Sequence, residues 1–360
     1  MIRTRPLVLA LLLGTVPHAA LATQAPDAEQ LRAADKDAVV DALVRQLDAK
    51  YVFPEIARKV ATSLQAKAAA GAYAGATTHT ALAEALTRDL QALAQDDHFK
   101  VFHEPGFRSP PAGAPQPPSA EDLAMGRQHA GRVGYGLGKV ERLAGNVGYL
   151  EVRGFPPTEL VGEQITAAMK LVSGSDALIL DLRRNGGGEP ATVTHLLSHF
   201  FRHGDQRHLN DLYYRDGDRT QQFWTNPAVE MRYDKPVYVL TSKRTFSGGE
   251  ECAYDFQTQK RGTLVGEATG GGSNPGDVFA LAQGFVAFIP TGRAINPVTG
   301  TNWERIGVKP DIEVAAPQAQ TVAHAAILRT LLAAAKEPEQ RAELQQALAE
   351  LAGPGATPGG

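Results

Sequence analysis

Two glycine-rich junctions hold the residues whose type and spacing could do chemistry. In the first, an apolar run at residues 237–241 passes through Ser242-Lys243-Arg244-Thr245-Phe246 into Ser247-Gly248-Gly249-Glu250-Glu251. The acidic pair suits the first turn of a helix, so Ser247 stands where an N-cap serine would bond first-turn N–H groups. The same position suits a nucleophile, because the glycines admit a substrate and a helix N-terminus stabilises a developing oxyanion. In the second junction, the apolar run 177–182 leads into Arg183-Arg184-Asn185-Gly186-Gly187-Gly188. Three glycines leave backbone N–H groups uncovered and let another chain approach closely. An oxyanion hole, a docking rail for an extended peptide and a structural turn all fit that loop. Phosphate binding fits poorly, since neither the Walker Lys-Ser/Thr nor a true G-x-G-x-x-G is present.

A serine nucleophile needs a base and a group to orient it. Of ten histidines, His98 lies in Asp96-Asp97-His98-Phe99, where helical spacing gives way to an extended segment. A surface or capping role suits a lone histidine there equally well. Carboxylates are too numerous to choose by composition, and Glu304 is distinguished only by its neighbour Trp303, one of two tryptophans. His195, His199 and His203 recur at helical spacing and could offer ligands to Zn²⁺. They lack the H-E-x-x-H glutamate and stand among Leu196, Leu197, Phe200 and Phe201, so a helix face is the better reading. No metal and no cofactor are expected.

The elements that must position these groups fall into a clear order. Residues 1–22 combine Arg3 and Arg5, a short apolar run at 7–16 and Ala20-Leu21-Ala22, the pattern of a secretory signal peptide cleaved near Ala22. That run is too short to span a bilayer, so the expectation is an exported chain, periplasmic or secreted, without an integral membrane segment after cleavage. Residues 23–103 form a small helical domain, with apolar residues such as Val39, Leu43, Leu47 and Leu82, Leu86, Leu90 at helical spacing. A proline-rich linker follows at 104–128. Residues 129–317 alternate short apolar runs with helical stretches, which implies an α/β domain around a buried sheet. Residues 318–360 return to helical spacing and end in a Gly/Pro tail.

Composition narrows the partners. With 43% hydrophobic and 21% charged residues, the chain can bury a core and is not disordered. Lys plus Arg (36) nearly balances Asp plus Glu (39), so no field of one sign draws it to nucleic acid. Cys252 is the only cysteine, which excludes an intrachain disulfide and places the burden of stability on packing.

Four segments occur in an order that resembles the tail-specific, or C-terminal-processing, serine peptidase family. They are Leu180-Asp181-Leu182-Arg183-Arg184-Asn185-Gly186-Gly187-Gly188, Thr245-Phe246-Ser247-Gly248-Gly249-Glu250, Gly266-Glu267-Ala268-Thr269-Gly270-Gly271 and Gly307-Val308-Lys309-Pro310-Asp311-Ile312. The chain is more similar to the branch with interphotoreceptor retinoid-binding protein and the tricorn protease core. The resemblance implies a crotonase/ClpP-like ββα catalytic domain preceded by a small all-helical domain. It also implies Ser247 as nucleophile, the N–H groups of Gly248 and Gly187 as oxyanion donors, and Gly186 and Gly188 along the substrate. The processing branch uses a lysine base downstream of the serine, but that stretch here reads Gly270-Gly271-Gly272-Ser273, and Lys260 comes too early. The tricorn-like arrangement instead puts His98 and Glu304 at the base and orienting positions. A PDZ insertion has no room between His98 and the run at 147–152, so a groove beside Ser247 must select the peptide or protein substrate. An exported peptidase is the function implied. The alternative is a protein that binds retinoid-like or fatty-acid-like apolar ligands on the same scaffold.

Overall fold

A computed structural model describes residues 31–108 and 119–352; the expected signal peptide, residues 109–118 of the proline-rich stretch and the Gly/Pro tail lie outside them. The helices are α1 (Ala33–Lys50), α2 (Pro54–Ala69), α3 (His79–Ala94), α4 (Ala120–Arg132), α5 (Thr158–Val172), α6 (Pro190–Ser198), α7 (Gly248–Thr258), α8 (Ala319–Ala334) and α9 (Pro338–Ala352). The strands are β1 (Lys100–His103), β2 (Leu137–Leu143), β3 (Val147–Val152), β4 (Ala177–Asp181), β5 (His208–Tyr214), β6 (Arg219–Trp224), β7 (Val237–Thr241), β8 (Thr263–Gly266), β9 (Gly276–Ala280), β10 (Phe285–Pro290), β11 (Gly292–Ile295) and β12 (Ile312–Glu313).

The chain divides into two compact units. Of the described residues, one contains 31–108, Asp211–Gln221 and Gly272–Ile295, and the other contains the remainder. In the first, α2 buries Leu64, and α1 and α3 bury Leu43, Leu47, Leu82, Leu86 and Leu90, the residues whose spacing marked them as helical. Phe285, Ala287 and Ile289 of β10 join that core. β10 lies between β1 and β9, antiparallel to both. Segments expected within 129–317 therefore complete the N-terminal unit, because the alternating apolar face of β10 matches the stripe the helices leave uncovered.

The second unit is built on a six-stranded sheet in the order β12-β8-β7-β4-β3-β2. β3, β4, β7, β8 and β12 run parallel, and β2 closes the edge antiparallel to β3. Every residue of β3 and β4 is buried, as expected of parallel strands covered on both faces. Ala177 and Ile179 of β4 meet Ala323, Ile327 and Leu328 of α8 in one core. A Cβ on Gly148 would touch both Val172 of α5 and Leu178, so α5 lies on the opposite face. α4 corrects the expected linker boundary: Ser119 caps it by accepting from the Asp122 N–H, and helix begins at Ala120 within the stretch read as linker. The C-terminal region contains two helices, broken before Pro338.

Leu180 has no exposed surface at the centre of this sheet. Leu180→Ala is expected to cost about 2–5 kcal/mol, read as a lowered urea midpoint with an unchanged denaturant slope.

Candidate active site

Ser247 lies at the junction of the loop after β7 with α7, half-buried, with φ 51° and ψ −122°. A side chain other than glycine in that region is strained by about 1–3 kcal/mol, so its surroundings must hold it there. They do so through backbone and buried side chains. The Ser247 N–H donates to Glu250 Oε2 at 2.9 Å, and its carbonyl accepts from the N–H groups of Glu250 and Glu251. The preceding loop is tied to the stem of the other glycine junction: Thr245 Oγ1 donates to Leu182 O (2.8 Å), Ser242 Oγ to Arg183 O (2.6 Å), and Phe246 N–H to Asn185 O (3.0 Å).

The stem is itself fixed. Arg183 pairs with the buried Asp181 at 2.5 Å, Tyr149 donates to the same carboxylate, and Arg184 Nε bonds Glu151 Oε1. Asn185 is fully buried; its Nδ2 donates to Val152 O (3.1 Å) and its Oδ1 accepts from the Gly187 N–H (2.8 Å). A Cβ on Gly187, at φ 101°, would stand 2.8 Å from Ser247 Cβ and 2.9 Å from Gly248 N. Only glycine lets the loop close on the serine.

These contacts revise which amides can meet a substrate. Gly187 was expected to donate to an oxyanion, but its N–H is committed to Asn185, so its role is to fit against Ser247. Gly186 is exposed, and its N–H is committed to Arg153 O at 3.3 Å. Among the described residues, the N–H groups of Gly188 and Gly248 have no acceptor. Gly188 N lies 3.2 Å from where a Gly248 Cβ would be, so the two unclaimed donors are neighbours.

Glu304 belongs to the same unit as Ser247, half-buried in a turn where its N–H donates to Asn302 Oδ1. Trp303 is buried against Tyr254 of α7, with ring centroids 5.5 Å apart. His98 belongs to the other unit. There its side chain is only 8% exposed, and Nδ1 lies 3.4 Å from Asp96 Oδ1. Asp96 is buried and accepts from the His98 N–H, from Tyr51 Oη and from Asn274 Nδ2. Sequence reasoning passed over Asp96, although an aspartate two residues before a histidine can turn back onto it.

The three histidines do not share a helix face: α6 ends at Ser198, so only His195 lies on it, His199 caps its end and the exposed His203 lies beyond it. His195 Nε2 and His199 Nδ1 face the carbonyls of Gly162 and Met231 at 3.0 and 2.9 Å, and His203 Nε2 faces Glu230 O. Burial depresses His195 and brings His199 down to about 4, so both rings stay neutral.

Comparison with known proteins decides the family. Residues 146–314 match peptidase family S41, and residues 21–126 match the N-terminal domain of Peptidase S41 in eukaryotic IRBP. The chain belongs to peptidase family S41. It is 25% identical over 174 residues to a chloroplastic C-terminal processing peptidase of Tetradesmus obliquus, covering 47% of this chain and 35% of that protein. It is 27% identical over 167 residues to carboxyl-terminal-processing peptidase 1, chloroplastic, of Arabidopsis thaliana, covering 46% and 33%. The chain thus spans about a third of these curated relatives. A crystal structure of a candidate peptidase from Parabacteroides merdae shares the fold, with TM-score 0.54 and 18% identity over 78% of this chain and 90% of that one. In this S41 chain, the ordered motifs fall on β4, α7, β8 and β12 and the turns that follow or precede them.

Behind Ser247, α7 buries Glu251, Cys252 and Asp255. Burial raises the Cys252 thiol, pushes Glu251 up to about 8 and holds Asp255 well above the usual carboxylate range. Such a carboxyl keeps its proton in the folded protein after the unfolded chain has lost it. Stability is therefore complete at low pH and is lost as pH rises from the ordinary carboxylate range toward about 8. Glu251→Gln should lose less stability than wild type between pH 5 and 8, measured by urea unfolding at each pH; equal losses would contradict this assignment.

Proposed function

We propose that the chain is an exported serine peptidase that cleaves peptide bonds through an acyl-enzyme at Ser247. The observation that carries this reading is the strained Ser247 at the start of α7, beside the two unclaimed amides of Gly188 and Gly248. A strained strand-to-helix turn presents a serine hydroxyl, and paired amides stabilise the oxyanion its attack creates. His98 is the general base by family resemblance. It takes the Ser247 proton as the Oγ–carbonyl bond forms, then gives it to the leaving amine as the C–N bond breaks. Water repeats the cycle on the ester and releases the acid. Glu304 is the carboxylate partner the resemblance supplies, and Asp96 also stands at ion-pair distance from Nδ1. Export rests on the leader pattern of residues 1–22, and among the described residues no helix is long and apolar enough to cross a membrane.

Apolar-ligand binding has less support. A cavity of about 260 Å³ is lined by Ala228, Val229 and Met231 together with Thr166, Lys170, His195, Asn226 and Glu230, a mixed set whose charged Lys170 and Glu230 match poorly with a wholly apolar ligand.

Purified protein should be labelled by a fluorophosphonate and should cleave members of a peptide library. Ser247→Ala should abolish both, with losses of about 10³-fold or more in turnover, and His98→Ala should follow it. Asp96→Asn and Glu304→Gln, assayed side by side, identify the orienting carboxylate by the larger fall in kcat. Equal labelling of wild type and Ser247→Ala would overturn the proposal.

A further inference from the structure

The Glu250 carboxylate has no exposed surface and stands three residues after Ser247, in the first turn of α7. Its Oε2 accepts from the Ser247 N–H at 2.9 Å. Its Oε1 accepts from the Gly271 N–H at 2.6 Å and from Thr269 Oγ1 at 2.5 Å. Three donors and the positive end of a helix surround it, which suits an ionised carboxylate. A simple capping box would need only the first of these bonds.

The other two reach the segment that carries Glu304. Gly271 O accepts from the Arg305 N–H at 2.7 Å, and a Cβ on Gly271 would strike the Arg305 backbone at 2.9 Å. Thr269 Oγ1 also accepts from the Val308 N–H at 2.6 Å, and the Thr269 N–H donates to Val308 O. Gly307 completes the fit, since a Cβ there would lie 2.3 Å from Thr269 O. Residues 305–308 are thus held on both sides of one turn by residues whose own anchor is Glu250.

We propose that Glu250 is a positioning residue of the reaction, a buried anchor that fixes the Ser247 elbow and the Glu304 turn relative to each other. The inference rests on the peptidase reading for its catalytic consequence. Glu250 touches neither substrate nor reacting atoms. It acts by holding the strained serine backbone and by locking the 269–271 loop against the turn, where a displacement of about 1 Å can cost about 100-fold in rate. Glutamine keeps the shape but offers one acceptor and turns an NH₂ toward N–H or O–H donors, so it should loosen one side of the anchor.

The test measures the rate of fluorophosphonate labelling of Ser247 in the full chain, with thermal unfolding and amide hydrogen exchange at Ser247 and Gly271 read on the same samples. Glu250→Gln should label about 100-fold more slowly, keep a cooperative unfolding transition and exchange the Gly271 amide faster. Thr269→Val should be slowed in the same direction, and Thr269→Ser, which keeps the hydroxyl, should recover most of that loss. Labelling of Glu250→Gln within a few-fold of wild type would overturn the inference. If Glu250→Gln does not fold, the threonine pair decides, and equal rates for Thr269→Val and wild type would overturn it. If wild type itself is not labelled, the peptidase reading fails. The anchor is then judged by exchange alone, and unchanged protection at Gly271 in Glu250→Gln would count against it.

Discussion

The backbone of Ser247 is held where a side-chain-bearing residue is strained, and much of the second unit can be understood as the means of holding it. With φ at 51° and ψ at −122°, the residue leaves the β7 loop and enters α7 without relaxing into either. Strain of this kind persists only when neighbours over-determine it. Here they are the Glu250 carboxylate below, the Gly187 backbone alongside, and the Thr245 and Phe246 bonds to the 182–185 stem. None of these constraints needs a long side chain reaching through solvent. They are hydrogen bonds and close packing among groups partly or wholly withdrawn from solvent, where an unmade bond costs most.

The parallel sheet explains why two loops far apart in sequence can share this task. β4 and β7 are adjacent and parallel, so the turns that follow them emerge at the same edge, where open α/β sheets bind ligands. The β4 turn supplies glycines and the β7 turn supplies the serine. β8 lies on the other side of β7 and brings the 267–271 loop to the same edge, which allows Glu250 to reach it. Topology creates the neighbourhood, and hydrogen bonds between turns set its geometry. The acid pair and thiol buried further along α7 form a separate feature, one that links stability to pH through groups the catalytic reading does not use.

The sequence was most legible where periodicity and composition coincide. The leucines of α1 and α3 and the apolar runs of β3, β4 and β7 are buried as their spacing implies. The junctions at Gly186–Gly188 and Ser247–Gly249 stood out because glycine runs after buried strands have few other uses. The destination of β10 was not legible, since an apolar run does not say which core it enters. Nor was the division of labour among the glycines: three identical residues differ only in which N–H the Asn185 side chain captures. Asp96 and Glu250 were hidden for a similar reason. A carboxylate beside a histidine or a serine in sequence is common, and its importance lies in partners such as Asn274 and Gly271, which are brought to it by folding.

The account stands or falls on the geometry around Ser247 once it has reacted. The most direct measurement is a crystal structure of the full chain after reaction with a small fluorophosphonate, solved finely enough to place the phosphonyl oxygens. The account predicts phosphorus bonded to Ser247 Oγ, with one oxygen about 2.7–3.1 Å from the amide nitrogens of both Gly188 and Gly248 and the Gly187 N–H still bonded to Asn185. An unmodified Ser247, or a phosphonyl oxygen turned away from those two amides, would contradict it.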